Sequence, residues 1–250
     1  LNKAEPPKGA QAVSRAIALL KAFTPEKPKM GLAELADVIS LNKTTAHRLL
    51  AALEWDGLVA RDAARGTYQL GPAVIAMGSQ ALLTSDLRAR IRPTLEHLAL
   101  ESGETATFEV KSGDCMLVLD GVLGSFRISA SLDLGTQWPM HACSTGKCLL
   151  AHMPEAEVKL ILSRPLQGYT PQTITQPEIL REELVHIRER GYAVAREELE
   201  PDYVAVSAPL PGPMGFVEGA VCLGGPVSRF DGERIVALGT MLKKAVAQLA

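Results

Sequence analysis

"NKTTAHRLLAALEWDGLVAR", residues 42–61, sets runs of leucine and alanine behind a cluster of polar residues. A helix this apolar belongs in a core, yet its polar residues gather at its start. Projected at about 100° per residue, Ala46, Leu49, Leu50 and Leu53 fall on one stripe. Thr44 and Arg48 point nearly opposite to that stripe, flanked by Thr45 and His47. Asn42 is a favourable N-cap, and Asp56-Gly57 is a C-terminal stop signal, so the helix is expected from Lys43 to about Trp55.

Upstream, "AVSRAIALLKAF" (12–23) places Val13, Ile17 and Leu20 at helical spacing, with Ala16 and Phe23 beside them. The two prolines of "TPEKPK" (24–29) break that helix. "GLAELADVI" (31–39) is a second, short helix with Leu32, Leu35, Ala36 and Ile39 on one face. A short helix, a tight connection and a helix whose polar N-terminal residues face outward form a helix-turn-helix. Its second helix enters the major groove of DNA. The residue types suit that task. Arg48 can pair with guanine through two bonds, threonine methyls can meet the thymine methyl, and hydroxyls and Lys43 can reach phosphate. Thr45 and His47 complete the candidate contact set. Downstream, Leu58-Val59 and Thr67–Leu70 read as two strands, with Arg61, Arg65 and Gly66 in their connection. A basic hairpin after such a helix is a wing, placed to lie along phosphates.

The charge distribution agrees. Residues 1–78 hold ten basic and seven acidic side chains, a net +3, within a chain whose total is −2. No apolar run reaches the roughly 20 residues of a membrane span. "LNKAEPPKGAQ" carries no signal-peptide core. The four cysteines lack the density of a disulfide scaffold. A cytoplasmic protein is expected.

"SRAIALL", "KTTAHRLLAALEWDGLV" and "YQLG" resemble the head of the IclR (isocitrate lyase regulator) family of bacterial transcriptional regulators. The resemblance implies an N-terminal winged helix-turn-helix over 1–71 and a linker helix over 72–90. It also implies an effector-binding domain over 91–250, with a GAF-like antiparallel sheet and packed helices. The class is α+β. The implied function is a ligand-responsive repressor, or dual regulator, of a catabolic operon. It would bind a palindromic double-stranded operator as a homodimer or homotetramer, sense a small organic acid or aromatic metabolite, and need no cofactor or metal.

The residues of the second part support that class. Residues 71–102 read as helical, with a break permitted at Ser85-Asp86 and Pro93 suited to the first turn of the next helix. "ETATFEVKSGDCMLVLDGVL" is a hairpin turning at Ser112-Gly113-Asp114, and "SFRISASL" (125–132) alternates as a strand. Helices are expected over 144–153, 154–164, 176–191 and 231–250, and strands over 203–210 and 216–225.

"QWPMHACSTGKCLLAHM" (137–153) is where chemistry would sit. Ser144 or Thr145 would cap the helix, free N–H groups from Thr145 to Lys147 would favour an anion, and Gly146 would permit close approach. The resemblance adds an effector pocket at Ala130, Trp138, Ser144, Thr145, Gly146, Ala205, Cys222 and Gly224. Arg127, Arg196 and Glu197 are possible charged additions. An anionic effector is expected, although Cys222 and Gly224 are less polar than a small-carboxylate site offers. "STGKC" is not a phosphate-binding P-loop, because position 141 is His and position 148 is Cys. The alternative reading takes His141, Cys143, Cys148 and His152 as a zinc-binding sensor or a cysteine–histidine hydrolase.

Overall fold

The computed structural model describes residues 10–125, 134–212 and 216–249. They fall into two compact units that divide between Ser85 and Asp86.

The first unit runs α1 (Gln11–Ala22), β1 (Met30–Gly31), α2 (Leu32–Val38), α3 (Lys43–Trp55), β2 (Val59–Asp62), β3 (Thr67–Leu70) and α4 (Pro72–Leu83). Its core is Leu19, Phe23, Met30, Leu35, Leu50, Leu53, Val59 and Tyr68. The Asn42 side chain accepts a bond of 2.8 Å from the Thr45 N–H, a cap worth about 1 kcal/mol. Beyond Asp56, Gly57 adopts a left-handed φ of +70° and ends α3.

Three features differ from expectation. Helix α1 buries Leu19, and Phe23 just past its end is buried too, with Ala16 and Leu20 partly covered, whereas Val13 and Ile17 are exposed. Both stripes have helical spacing, and packing against the other helices selects the second. Strand β2 extends to Asp62, so Arg61 lies in the strand and only Arg65 and Gly66 remain in the connection. The two-residue strand β1 pairs Met30 with Tyr68 and adds a third strand to the hairpin. A segment that short carries no alternation to read.

The second unit runs α5 (Asp86–Ser102), β4 (Thr105–Ser112), β5 (Cys115–Val122), β6 (Gln137–Pro139), α6 (Ser144–His152), α7 (Glu155–Leu162), α8 (Pro177–Arg190), β7 (Ala193–Arg196), β8 (Tyr203–Pro211), β9 (Val217–Pro226) and α9 (Gly232–Ala247). The strands form one antiparallel sheet in the order β6-β5-β4-β9-β8-β7. Pro93 lies inside α5, not at a helix start. It cannot donate to the carbonyl four residues back, yet Ile91, Leu95 and Leu98 are fully buried on either side of it. Strand β6 is too short for alternation to mark it in the sequence, and β7, Ala-Val-Ala-Arg, carries no apolar-polar alternation. The strand expected over 125–132 lies, from residue 126 onward, outside the described residues.

Alternation in the sheet separates two cores. Ala106 and Phe108 of β4, Val204, Val206 and Ala208 of β8, and Val221 and Leu223 of β9 face α5 and α9. The opposite face of the sheet meets α6, α7 and α8. There Met116, Cys148, Leu150, Val158, Leu180, Leu184 and Ile187 form the second core. Every residue of α6 from Ser144 to Ala151 is buried, which makes it the central helix of that face. Among the described residues no helix is long and apolar enough to cross a membrane.

Candidate functional sites

In the first unit, α3 buries Ala46, Leu50 and Leu53 and exposes Lys43, Thr44, His47 and Arg48; Thr45 is half-buried. The cap explains Thr45, whose N–H is turned toward Asn42. Arg61 projects from β2 over the Tyr68 ring, 5.8 Å from its centroid. Arg65 stands in the hairpin connection, where the Asp62 carboxylate accepts from the Ala64 and Arg65 N–H groups. Its guanidinium is 4.0 Å from Asp62 and 73% exposed. So the hairpin's shape is held by an aspartate turn, and its cation is left to solvent.

In the second unit, a cavity of about 150 Å³ opens between the sheet and the start of α6. The polar parity of β4 supplies Thr105, Thr107 and Glu109, while β9 supplies Cys222 and Gly224, and β8 supplies Tyr203 and Ala205. Trp138 of β6 is one wall, and Ala142, Cys143, Ser144 and Thr145 close the helix end. Val118 of β5, Ala195 of β7, and Glu198, Leu199 and Glu200, which follow β7, complete the lining.

Of the residues expected in an effector pocket, Trp138, Ser144, Thr145, Ala205, Cys222 and Gly224 therefore line one cavity. Ala130, like Arg127, lies outside the described residues. Gly146 does not line the cavity. A Cβ there would lie 2.3 Å from both Cα and O of Met140, so this glycine serves packing, not ligand approach. Neither Ser144 nor Thr145 caps α6. Cys143 does, its Sγ accepting from the Gly146 N–H at 3.3 Å. The Lys147 N–H is likewise engaged, by the Cys143 carbonyl. The two charged additions turn away: Arg196 donates to the Phe230 carbonyl, and Glu197 accepts from the Asp202 N–H.

The lining holds carboxylates that the expected pocket did not include. Glu109 is buried, accepting 2.5 Å from the Thr145 hydroxyl and 3.1 Å from the Thr107 hydroxyl. Burial pushes its pKa up, against the opposing pull of those two hydroxyls. Glu198 accepts 2.5 Å from Lys147, whose side chain is only 1% exposed. Burial also raises the Glu198 pKa, opposed chiefly by Lys147. The apolar-polar alternation of "TATFE" (105–109) could have marked Thr105, Thr107 and Glu109 as one face. Nothing local marks Glu198, because it stands past the end of its strand.

The cysteine–histidine cluster does not assemble. His141 bonds to the Gln167 carbonyl at 2.8 Å and His152 to the Cys148 carbonyl at 2.9 Å. Among the described residues no group of three or more His, Cys, Asp or Glu is placed to hold a metal ion. Burial drives the Cys143 thiol far above its usual range and Cys148 up to about 12, the opposite of an activated thiolate.

Comparison with known proteins accounts for both units. Residues 12–63 match the IclR helix-turn-helix domain, and residues 79–250 match the bacterial transcriptional regulator IclR C-terminal domain. The chain is 32% identical to the HTH-type transcriptional regulator BhcR of Paracoccus denitrificans, over 99% of this chain and 88% of that protein. It is 31% identical to the transcriptional repressor IclR of Escherichia coli, over 96% of this chain and 88% of the relative. The crystal structure of an IclR-type regulator from Silicibacter sp. TM1040 superposes with a TM-score of 0.85 at 26% identity, covering 95% of this chain and 94% of that one.

Proposed function

The chain belongs to the IclR family of bacterial transcriptional regulators, and on that premise we propose how its two units divide the work. Residues 1–71 bind DNA, 72–90 connect, and 91–250 hold the effector. Helix α3 enters the major groove, where Thr44 and Arg48 meet base edges and Lys43, Thr45 and His47 contact backbone or flanking bases. Arg61 and Arg65 of the hairpin lie along phosphates. Two copies in a homodimer or homotetramer read the halves of a palindromic operator. The effector sits in the cavity beside Thr145, and its binding shifts the population between DNA-competent and incompetent arrangements. The protein works in the cytoplasm, as a regulator and not as an enzyme. Burial raises the Cys143 and Cys148 thiols, which supports that last point, since a hydrolase would need one of them ionised.

The observation that carries the reading is the division of α3 itself. Its capped N-terminal half presents Lys43, Thr44, His47 and Arg48 to solvent while Ala46, Leu50 and Leu53 hold it to the core. The test is selection of bound sequences from random DNA with the full chain. A palindrome with half-sites about one helical turn apart is expected. Enrichment of no motif, or of one untouched by Arg48→Ala, would defeat the assignment.

A further inference from the structure

Of the buried side-chain oxygens and nitrogens that lack a hydrogen-bond partner, among the described residues, only Oε2 of Glu198 belongs to a residue lining the cavity. Glu198 as a whole is 7% exposed. Its neighbours in the lining are engaged with one another. Glu109 takes the Thr107 and Thr145 hydroxyls on separate oxygens, and the Ser144 hydroxyl lies 3.6 Å from the Cys222 sulfur. Glu198 is also held from several sides. Its Oε1 accepts from Lys147 at 2.5 Å, and its carbonyl accepts from the Thr173 hydroxyl at 2.6 Å. The Thr173 oxygen is itself fixed, accepting from the N–H groups of Tyr169 and Thr170 at 2.9 Å each. The preceding carbonyl, of Glu197, accepts from the Thr170 hydroxyl at 2.5 Å. Glu197 adopts a left-handed φ of +55°, which a non-glycine residue keeps only where its surroundings impose it. Oε2 therefore cannot swing to another partner without breaking the Lys147 pair.

We infer that the effector bears a hydroxyl group that donates to the free oxygen of Glu198, so that the cavity selects hydroxylated compounds over their unhydroxylated counterparts. This deepens the reading of the cavity as the effector site, and rests on it. A buried acceptor without a donor costs free energy, which a ligand recovers by supplying the donor. The donor has no need of charge, because Lys147 already balances the Glu198 carboxylate. A hydroxyl is the smallest neutral group that serves, and it approaches a carboxylate oxygen to about 2.6 Å. It adds one heavy atom to a body that otherwise meets the apolar walls of Val118, Trp138, Ala142, Leu199 and Ala205. The rest of the molecule is left to the other end of the cavity, and a carboxylate there is compatible with the assignment. A site that hydrogen-bonds a ligand hydroxyl discriminates against the analogue lacking it, because the buried partner is then stranded.

The experiment is a thermal-shift and calorimetric comparison of the full chain with matched probes. One set is benzoate, its monohydroxy isomers and the corresponding fluorobenzoates, in which fluorine has nearly the size of a hydroxyl but donates nothing. The other is butyrate and its monohydroxy isomers. In at least one set a hydroxylated probe should bind about tenfold or more tightly than its unhydroxylated counterparts. Glu198→Gln should cut that advantage to within about threefold, since Lys147 keeps the amide oxygen on its own side and the amide nitrogen, a donor, replaces Oε2. Binding of the unhydroxylated probes should stay within about threefold of the parent. Should Glu198→Gln fail to fold, Thr173→Val takes its place, because it leaves the Lys147 pair intact and releases the Glu198 backbone. It should lower the advantage about threefold or more, and Thr173→Ser should restore it. Probes that bind with no hydroxyl advantage would overturn the inference and leave the effector cavity standing. An advantage undiminished in the variant would place the hydroxyl elsewhere and overturn it too. No shift with any probe up to about 10 mM would overturn both the inference and the cavity as a small-molecule site. The DNA reading would still be judged separately, by operator selection.

Discussion

The hydroxyl of Thr145 donates to Oε2 of Glu109 across 2.5 Å, joining the first turn of α6 to the middle of β4. The contact fills the helix end with a carboxyl group from the sheet. It also gives the second unit a titration. Thr107 of β4 and Thr145 of α6 touch Glu109 as neutral donors. The titratable groups coupled to it electrostatically are Cys143 at the α6 cap, Cys222 of β9 and Tyr203 of β8, all raised by burial and neutral near pH 7.

Because burial raises the Glu109 pKa above its ordinary 4.5, the folded protein holds that proton more tightly than the unfolded chain does. Stability from this group is full below the usual carboxylate range and falls as pH climbs through the raised value. Glu198 is shifted in the same direction. Glu109→Gln should therefore melt higher than the parent above that window and show a flatter pH dependence. Thermal unfolding of the ligand-free protein across pH 4–9 checks this, with parallel curves as the refuting result.

Lys147→Met should destabilise the second unit by about 3–5 kcal/mol, because it strands Glu198 in the interior. Lys147→Met combined with Glu198→Gln should recover part of that loss, since the surviving side chain no longer carries a charge. Denaturant unfolding of the single and double variants reads the difference. A double variant as unstable as the single would show that Lys147 acts through packing alone.

Gly146→Ala should also destabilise this unit, because its new methyl meets the Met140 backbone at 2.3 Å. A larger side chain at 146 would then disturb the fold, not merely obstruct a ligand. An unchanged melting temperature for Gly146→Ala would show that the 139–146 segment yields freely.

Arg48→Ala should weaken operator binding by about 1–3 kcal/mol and relax preference at one base position. Equal loss on specific and random DNA, measured by anisotropy titration, would make Arg48 a phosphate contact.

Arg65→Ala should reduce the log–log salt dependence of DNA binding by about 0.9 for each phosphate it no longer neutralises, with little change in sequence preference. Arg61→Ala should do the same and also loosen the hairpin slightly, since Arg61 stacks on Tyr68. An unaltered slope in titrations from low to high salt would take the hairpin off the DNA.

The DNA-binding half was legible because its signals are local. The stop at Asp56-Gly57, the cap at Asn42 and the polar start of α3 are properties of a few adjacent residues, and the backbone obeys them wherever the helix lies. Local periodicity fails where two answers are equally periodic. Val13-Ile17-Leu20 and Ala16-Leu19-Phe23 are both helical stripes, and only the neighbours of α1 chose between them. The cavity was half-legible. Residues near the α6 start were found, because a helix terminus has a sequence signature. Glu109 and Glu198 were not, because they reach that helix from 36 and 53 positions away from Thr145 along the chain. Their side chains meet α6 only once the antiparallel order β4-β9-β8-β7 has brought the strands together. By itself the sequence determined the main helices, the cap of α3 and the family. The carboxyl groups in the cavity lining were decided by tertiary structure, because what a buried site holds depends on which distant side chains share the space.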